Sequence, residues 1–180
     1  MAGTGGFLNP QKVLDQLEIQ TPSRIADFGC GHGYFSIPLA KMVGKEGQVF
    51  AVDILNEALE EVKGKAVQAE LANIETLRGN LEIPGGSKLP DNSCDMALLA
   101  NVLFQSNKKA DIIREARRVL KSGGKMVIID WQPSGKTLTS DSGWRISQGE
   151  ASQAATEKKF TFDREFDAGN FHYGLIFRKF

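Results

Sequence analysis

The sequence predicts a doubly wound α/β fold with a mostly parallel, seven-stranded sheet that ends in an antiparallel hairpin. Short apolar runs alternate with amphipathic segments along residues 10–131, an alternation typical of parallel strands joined by right-handed helical crossovers. Beyond residue 159 the alternation ends. Two strand-like segments follow there, separated only by Ala168-Gly169-Asn170. A turn this short permits only an antiparallel hairpin, so one strand at or near the end of the sheet is reversed.

The first half of the chain contains four predicted strands and three predicted helices. Asn9-Pro10 is typical of an N-cap followed by a first-turn proline and predicts a short helix through Leu17. Apolar runs then predict strands at 24–28, 48–53, 74–79 and 94–100, with helical spacing at 35–42 and 56–72.

The second half begins with a helix predicted over 107–120. Its apolar residues fall on one face: Ile112, Ile113, Ala116, Val119 and Leu120. Ser122-Gly123-Gly124 ends this helix, and 125–131 is the fifth predicted strand. A Gly- and Ser-rich loop covers 132–145. A capping box at Ser147-Gln148-Gly149-Glu150 starts another helix, and 160–167 and 172–180 form the hairpin strands.

Length and charge limit the classes of function. The chain has 180 residues, with 22 Lys+Arg balanced by 22 Asp+Glu, which predicts one domain over 1–180 with residues 1–8 flexible. Zero net charge disfavours long-range attraction to nucleic acid. Cys30 and Cys94 are too few for a metal cluster, so no metal site is predicted. The sequence shows no signal peptide and no apolar run that could span a membrane, so we expect a cytoplasmic protein.

A glycine loop after the first strand is the most informative stretch. Gly29, Gly31 and Gly33 alternate in Asp27-Phe28-Gly29-Cys30-Gly31-His32-Gly33-Tyr34, where a strand passes into a helix and a cofactor can approach the backbone closely. A dinucleotide fingerprint requires G-x-G-x-x-G, whereas Tyr34 stands at its last glycine. The spacing therefore disfavours a nicotinamide dehydrogenase.

Two aspartates accompany the loop. Asp53 closes the second strand, where an acid can accept hydrogen bonds from the ribose hydroxyls of an adenosine. Asp27, just before the loop, places a second carboxylate on the same rim, where it would attract an amino or sulfonium group and repel a phosphate. The two acids favour a cationic nucleoside as the ligand.

Four segments, in order, resemble the motifs of class I S-adenosylmethionine-dependent methyltransferases, with the small-molecule branch typified by ubiquinone and menaquinone biosynthesis as the nearest type. They are Asp27-Phe28-Gly29-Cys30-Gly31-His32-Gly33, Ala51-Val52-Asp53-Ile54, Leu89-Pro90-Asp91-Asn92-Ser93-Cys94-Asp95-Met96 and Arg118-Val119-Leu120-Lys121-Ser122-Gly123-Gly124. This resemblance covers about residues 10–131. It implies a Rossmann-like fold and S-adenosylmethionine as the cofactor.

The resemblance also implies a set of cofactor-binding residues. The methionine part would lie along the loop that holds Asp27, Gly29, Cys30, Gly31, Gly33 and Tyr34. Asp53 would bind the ribose hydroxyls, and Ile54 would lie against the adenine. Asn80 and Leu81 follow the third strand, where the family often has an acid. The side-chain carbonyl of Asn80 can still accept from the adenine amino group. Asn101 would lie near the reacting methyl group.

The acceptor is expected at the carboxyl ends of the later strands, where ligands bind in open α/β sheets. His172 at the hairpin is a candidate general base, although the pattern favours a structural histidine bonded to backbone or water. Candidate substrate contacts are Phe104, Trp131, Trp144 and Tyr173. The loop 132–145 is either a lid or a simple connection.

The sequence thus predicts methyl transfer from S-adenosylmethionine to a small molecule. Two alternatives remain open at this point. One is an RNA or protein methyltransferase whose partner completes the substrate site. The other is a cofactor-binding module without catalysis. The sequence predicts neither the acceptor atom nor the oligomeric state.

Overall fold

A computed structural model describes residues 8–133 and 145–180. Its centre is a seven-stranded sheet in the order β3-β2-β1-β4-β5-β7-β6. The strands are β1 (Arg24–Phe28), β2 (Gln48–Asp53), β3 (Ile74–Arg78), β4 (Cys94–Ala100), β5 (Leu120–Trp131), β6 (Phe160–Phe166) and β7 (His172–Lys179). All neighbouring pairs from β3 to β5 are parallel, and β7 is antiparallel to both β5 and β6. The predicted fold class is therefore confirmed.

Helices cover both faces of the sheet. They are α1 (Pro10–Leu14), α2 (Ser36–Met42), α3 (Asn56–Gln68), α4 (Lys109–Val119) and α5 (Gln148–Glu157), and a short 3₁₀ turn covers Leu103–Gln105. The apolar residues of α1 and α2 pack on one face of the central strands, and those of α4 and α5 pack on the other. None of the helices in the described ranges is long and apolar enough to cross a membrane.

The predicted helix caps are present in the structure. The Asn9 side chain accepts from the Lys12 N–H with Pro10 in the first turn. Ser147 and Glu150 bond reciprocally as a capping box at the start of α5. These local bonds satisfy N–H groups that the first turn of a helix leaves without partners.

Three element boundaries differ from the sequence-based expectation by three residues or more. Helix α1 ends at Leu14 and not at Leu17. Helix α3 ends at Gln68 and not at residue 72, because Glu70 takes a left-handed backbone conformation at φ +54°. Strand β5 begins at Leu120, which pairs with Cys94 before the ladder register shifts. Gly123, at φ +78°, allows this irregularity. The glycine pair therefore makes a bulge at the start of the strand.

The topology determines where a site can form. Because β1, β2 and β4 are parallel neighbours, the loops that follow them meet at one edge of the sheet. The β6–β7 turn reaches the same edge, since the Gln132 N–H donates to the Phe171 carbonyl at 2.8 Å.

Candidate functional site

A cleft of about 380 Å³ opens at the carboxyl ends of β1, β2, β3 and β4, within the size range of small-molecule sites. Six residues predicted to bind the cofactor line it: Gly29, Gly31, Asp53, Ile54, Asn80 and Leu81. The other lining residues are Leu55, Gly79, Glu82, Val102, Gln105, Ser106 and Ile112.

Backbone hydrogen bonds fold the glycine loop against β2. The N–H groups of Gly29 and Cys30 both donate to the Val52 carbonyl, at 2.8 and 3.0 Å. Gly29 lies at φ +68°, and a Cβ there would stand 2.6 Å from the Cγ2 of Val102. The loop after β1 therefore needs glycine to pack against the segment after β4.

Gly31 faces open space in the cleft. It lies at φ +50°, and a Cβ built on it meets no atom within 4 Å. Its N–H donates to Asp53 Oδ2 at 2.9 Å, while Asp53 Oδ1 accepts from the Leu55 N–H at 3.0 Å. A carboxylate has about four acceptor sites, so Asp53 is oriented by the backbone and still able to accept from a ligand.

Asp27 is buried beneath the loop, so the prediction that it lies on the rim is wrong. Its side chain is 2% exposed, and Ser36 Oγ donates to its Oδ2 at 2.5 Å. Burial raises the pKa of Asp27 to about 6; the bond from Ser36 lowers it and the nearby Asp53 raises it. Any effect of Asp27 on a ligand is therefore electrostatic and acts through the loop.

Three further loop residues predicted to bind the cofactor do not line the cleft among the described residues. Cys30 is buried against α3, and burial raises the pKa of its thiol. A Cβ at Gly33 would lie 3.1 Å from Val62 Cγ2, so this glycine allows close packing on α3. Tyr34 points away, and its hydroxyl donates to the Leu8 carbonyl at 2.6 Å.

The Asn80 side chain, which lines the cleft, also takes part in a local turn. Its side-chain carbonyl accepts from the Glu82 N–H at 2.9 Å, which closes a local turn of the kind asparagine favours. Glu82 Oε1 in turn accepts from Ser106 Oγ at 2.6 Å. This bond bridges the loop after β3 and the segment after β4 across the cleft.

Sequence reasoning missed this bridge and its support. The loop after β3 is held by Glu115 of α4, which is 2% exposed. Its carboxylate accepts from the N–H groups of Gly85 and Ser87, both at 3.0 Å, and it pairs with Arg118 at 2.6 Å. A polar residue on the apolar face of a predicted helix was the one available signal.

Next to the cleft lies an aromatic group that we call the acceptor-side cluster, formed by Phe104, Trp131 and His172. The Phe104 and Trp131 ring centroids are 6.4 Å apart in a T-shaped arrangement. The His172 ring lies 4.1 Å from that of Trp131. Two predicted substrate contacts, Phe104 and Trp131, and the candidate general base His172 are thus brought together from three parts of the chain.

Two polar side chains here have buried atoms that no described residue satisfies. His172 is 6% exposed, and neither ring nitrogen has a hydrogen-bond partner among the described residues. Burial, with a smaller effect from Arg145, lowers the pKa of His172 to about 4. Within the same described ranges, Asn101 Oδ1 is also buried without a partner. Such atoms are uncommon in folded proteins, and each calls for a specific explanation.

The two remaining predicted substrate residues do not join this cluster. Tyr173 projects from the opposite face of the sheet into the core with α4 and α5, because successive strand residues alternate in direction. Its hydroxyl donates to the Ile146 carbonyl at 2.9 Å. Trp144, with most of the loop 132–145, lies outside the described residues.

Comparison with known proteins assigns this arrangement to a family. A family model described as a methyltransferase domain matches residues 20–170. The chain belongs to this methyltransferase family. A crystal structure of a SAM-dependent methyltransferase from Aquifex aeolicus is similar to it with a TM-score of 0.85 and 26% identity, covering 95% of this chain and 89% of that one. The predicted family and the predicted cofactor, S-adenosylmethionine, are confirmed.

Other relatives of this methyltransferase domain are more distant or longer. A demethylmenaquinone methyltransferase from Listeria monocytogenes is 31% identical over 121 residues, which are 67% of this chain and 49% of that protein. The chain thus spans about half the length of the curated relatives it matches. The [4+2]-cyclase SpnF shares the fold, with a TM-score of 0.78 at 16% identity over 94% of this chain and 79% of that one.

The site of this methyltransferase domain fits S-adenosylmethionine. Gly31 leaves room beside the backbone, and Asp53 keeps free acceptor sites for the ribose hydroxyls. Asn101 Oδ1 is buried without a partner among the described residues, and Asn101 is not one of the residues that line the cleft.

Proposed function

We propose that this chain transfers a methyl group from S-adenosylmethionine to a small-molecule acceptor that carries a ring. The observation that carries this proposal is the contact between Gly31 N–H and Asp53 Oδ2 at 2.9 Å. It joins the glycine loop to the acid of β2 at the edge of the cleft. The fold alone would be insufficient, since one fold hosts many chemistries, as the cyclase with the same fold illustrates.

The chain contributes binding and alignment to this reaction. Bound S-adenosylmethionine supplies a methyl group on a sulfonium that is already a good leaving group. The residues around it therefore need only orient the cofactor and acceptor and exclude water, which accounts for much of the acceleration in such reactions. Asp53 would hold the ribose, Ile54 would cover the adenine, and Gly31 would let the backbone approach the methionine part.

The acceptor-side cluster supports a ring-containing acceptor. A demethylmenaquinone methyltransferase is among the relatives, and the half-buried ring of Phe104, beside the Trp131 indole that His172 and Arg145 contact, offers aromatic packing to an acceptor of that kind. His172, with its pKa near 4, is neutral at pH 7 and serves as a hydrogen-bonding contact. A group with so low a pKa has little driving force to take a proton.

Charge at the cleft supports a small acceptor over nucleic acid. The cleft lining includes the carboxylates of Asp53 and Glu82, and the buried Asp27 lies beneath it. A phosphate backbone would meet repulsion here, since nucleic-acid sites depend on lysine and arginine contacts.

Calorimetric titration with S-adenosylhomocysteine tests the cofactor part of the proposal. We expect saturable binding that Asp53→Ala weakens about 30-fold or more, because losing charge-assisted hydrogen bonds costs about 2 kcal/mol. Glu57→Gln, at an exposed position of α3, is the control and should bind like the unaltered protein. No binding at millimolar concentration would end the proposal.

Radiolabelled methyl transfer tests the reaction itself. We expect label from S-adenosylmethionine to appear in a demethylmenaquinone analogue with a shortened side chain. A set of small molecules with hydroxylated rings would be tested as further acceptors. Tight cofactor binding without methyl transfer to any of them would identify a binding module without catalysis.

A further inference from the structure

A buried carboxylate at the end of β5 joins the cofactor cleft to the acceptor-side cluster. Asp130 is 1% exposed. Its Oδ1 accepts from the Trp131 N–H at 2.8 Å, and its Oδ2 accepts from the Phe104 N–H at 3.2 Å. Two backbone N–H groups, one after β4 and one at the end of β5, therefore donate to the two oxygens of one side chain.

The groups held by Asp130 belong to both halves of the site. The 3₁₀ turn Leu103–Gln105 carries Phe104 of the acceptor-side cluster. The same segment supplies Val102 and Gln105 to the wall of the cofactor cleft. Gln105 also anchors the segment by donating from Nε2 to the Asn101 carbonyl at 2.6 Å. A displacement of this turn would move cofactor and acceptor contacts together.

The buried environment of Asp130 disfavours the charged form of its carboxyl group. Burial raises the pKa of Asp130 to about 6, while the backbone bonds and the nearby Lys109 lower it. Tyr173 and Glu150 also lie in this electrostatic environment, since Asp130 and Glu150 both raise the pKa of Tyr173. A buried charge of this kind is weak evidence for a stabilising role, whereas its bonds to the ends of two strands indicate a role in their geometry.

We infer that Asp130 is a positioning residue: it holds the turn after β4 against the end of β5 and thereby sets the geometry between the cofactor cleft and the acceptor-side cluster. The inference rests on the proposed function, since the cleft must hold the cofactor for the geometry to matter. Asp130 acts through the backbone N–H groups of Phe104 and Trp131.

Asp130→Asn is the direct test, because the amide keeps the shape but has a donor where the backbone N–H groups need an acceptor. We expect the turn to shift and the affinity for S-adenosylhomocysteine to fall at least fivefold, measured calorimetrically under conditions where circular dichroism shows a folded protein. Asp130→Glu keeps the charge on a longer arm and should also weaken binding. It replaces Asp130→Asn if that variant does not fold.

Asp95→Asn is the matched control. Asp95 also accepts a hydrogen bond from a backbone N–H group, that of Arg24 at 2.8 Å. It lies near the amino end of β4, whereas the cleft lies at the carboxyl end. We expect it to lower stability while changing the affinity for S-adenosylhomocysteine less than twofold. If the unaltered protein does not bind this probe, the proposed function fails and this inference with it. If it binds, and folded Asp130→Asn and Asp130→Glu bind equally well, the positioning role alone is overturned.

Discussion

The imidazole of His172 lies against the indole of Trp131, with ring centroids 4.1 Å apart and planes inclined by 35°. The two residues are register partners where β5 and β7 meet. Stacking accounts for the ring faces of His172 but leaves both nitrogens without a partner among the described residues. These nitrogens are buried beside the indole, and the guanidinium carbon of Arg145 lies 5.7 Å from the centroid of that same indole.

His172→Phe tests whether those nitrogens serve a ligand. The phenyl ring keeps the stack and removes two unsatisfied buried atoms, each of which carries a desolvation cost of about 1–3 kcal/mol. We expect the free energy of unfolding in urea to rise by about 1 kcal/mol, with unchanged S-adenosylhomocysteine affinity and lost methyl transfer. A marked loss of stability would show that the imidazole bonds within the protein.

Alanine substitutions at two glycines of the loop should separate fold stability from cofactor affinity. Gly29→Ala forces a Cβ to within 2.6 Å of Val102 Cγ2, so we expect it to destabilise the fold by several kcal/mol. Gly31→Ala meets no atom within 4 Å and costs only the strain of a positive φ, about 1 kcal/mol. It should nonetheless weaken S-adenosylhomocysteine binding at least tenfold by filling the cofactor's space.

Thermal denaturation and calorimetry on the two variants separate these effects. Equal loss of stability in both would show that the space at Gly31 is not open. Unchanged cofactor affinity in Gly31→Ala would place the ligand elsewhere in the cleft.

Asp27 makes stability depend on pH in a definite direction. Its pKa rises from 3.8 to about 6 on folding because of burial, so its contribution to stability is complete below pH 4 and is lost as the pH rises through 6. Asp27→Asn stays neutral throughout. We therefore expect its free energy of unfolding relative to the unaltered protein to increase from pH 4 to pH 8, by on the order of 2–3 kcal/mol.

Urea titrations at several pH values measure this difference, and the comparison cancels the titration of other acids such as Asp130. Asn can still accept from Ser36 Oγ, so the bond in the fold is retained. A difference that is flat with pH would mean that Asp27 is not protonated more readily in the folded protein.

Tyr34 is expected to restrain the segment that precedes α1. Its hydroxyl donates to the Leu8 carbonyl at 2.6 Å, away from the cleft. Tyr34→Phe removes only this bond, so we expect faster amide hydrogen exchange around residues 8–14, read by mass spectrometry, and unchanged S-adenosylhomocysteine affinity. A weakened affinity would instead support the prediction that Tyr34 contacts the cofactor.

Local patterns in the sequence predicted most of the fold. Apolar runs and helix caps identify the strands and helices because both signals lie within the residues of the element itself. The end of α3 depends on one backbone angle, at Glu70, and the start of β5 depends on a bulge beside Gly123. Neither has a clear signature in the order of apolar residues.

The site was predictable where it follows strand ends and unpredictable where it depends on packing. Asp53 and Gly31 lie where their positions after β2 and β1 imply. The burial of Asp27 depends on how Ser36 folds back over it. The contributions of Gln105 and Ser106 depend on the turn that Asp130 anchors from another strand. An aspartate at the end of an apolar strand was the one sign of that anchor.

The position of β7 between β5 and β6 also constrains the order in which the sheet can assemble. The β6–β7 hairpin joins segments close in sequence, with Phe166 opposite Gly174, so it can form before β7 docks on β5. The β1–β4 pair joins segments much more distant in sequence, with Ile25 opposite Met96, and such pairings form slowly because closing a long loop costs entropy. We therefore expect the hairpin to form early in refolding and the β1–β4 pair, which frames the cofactor cleft, to form in the slowest phase.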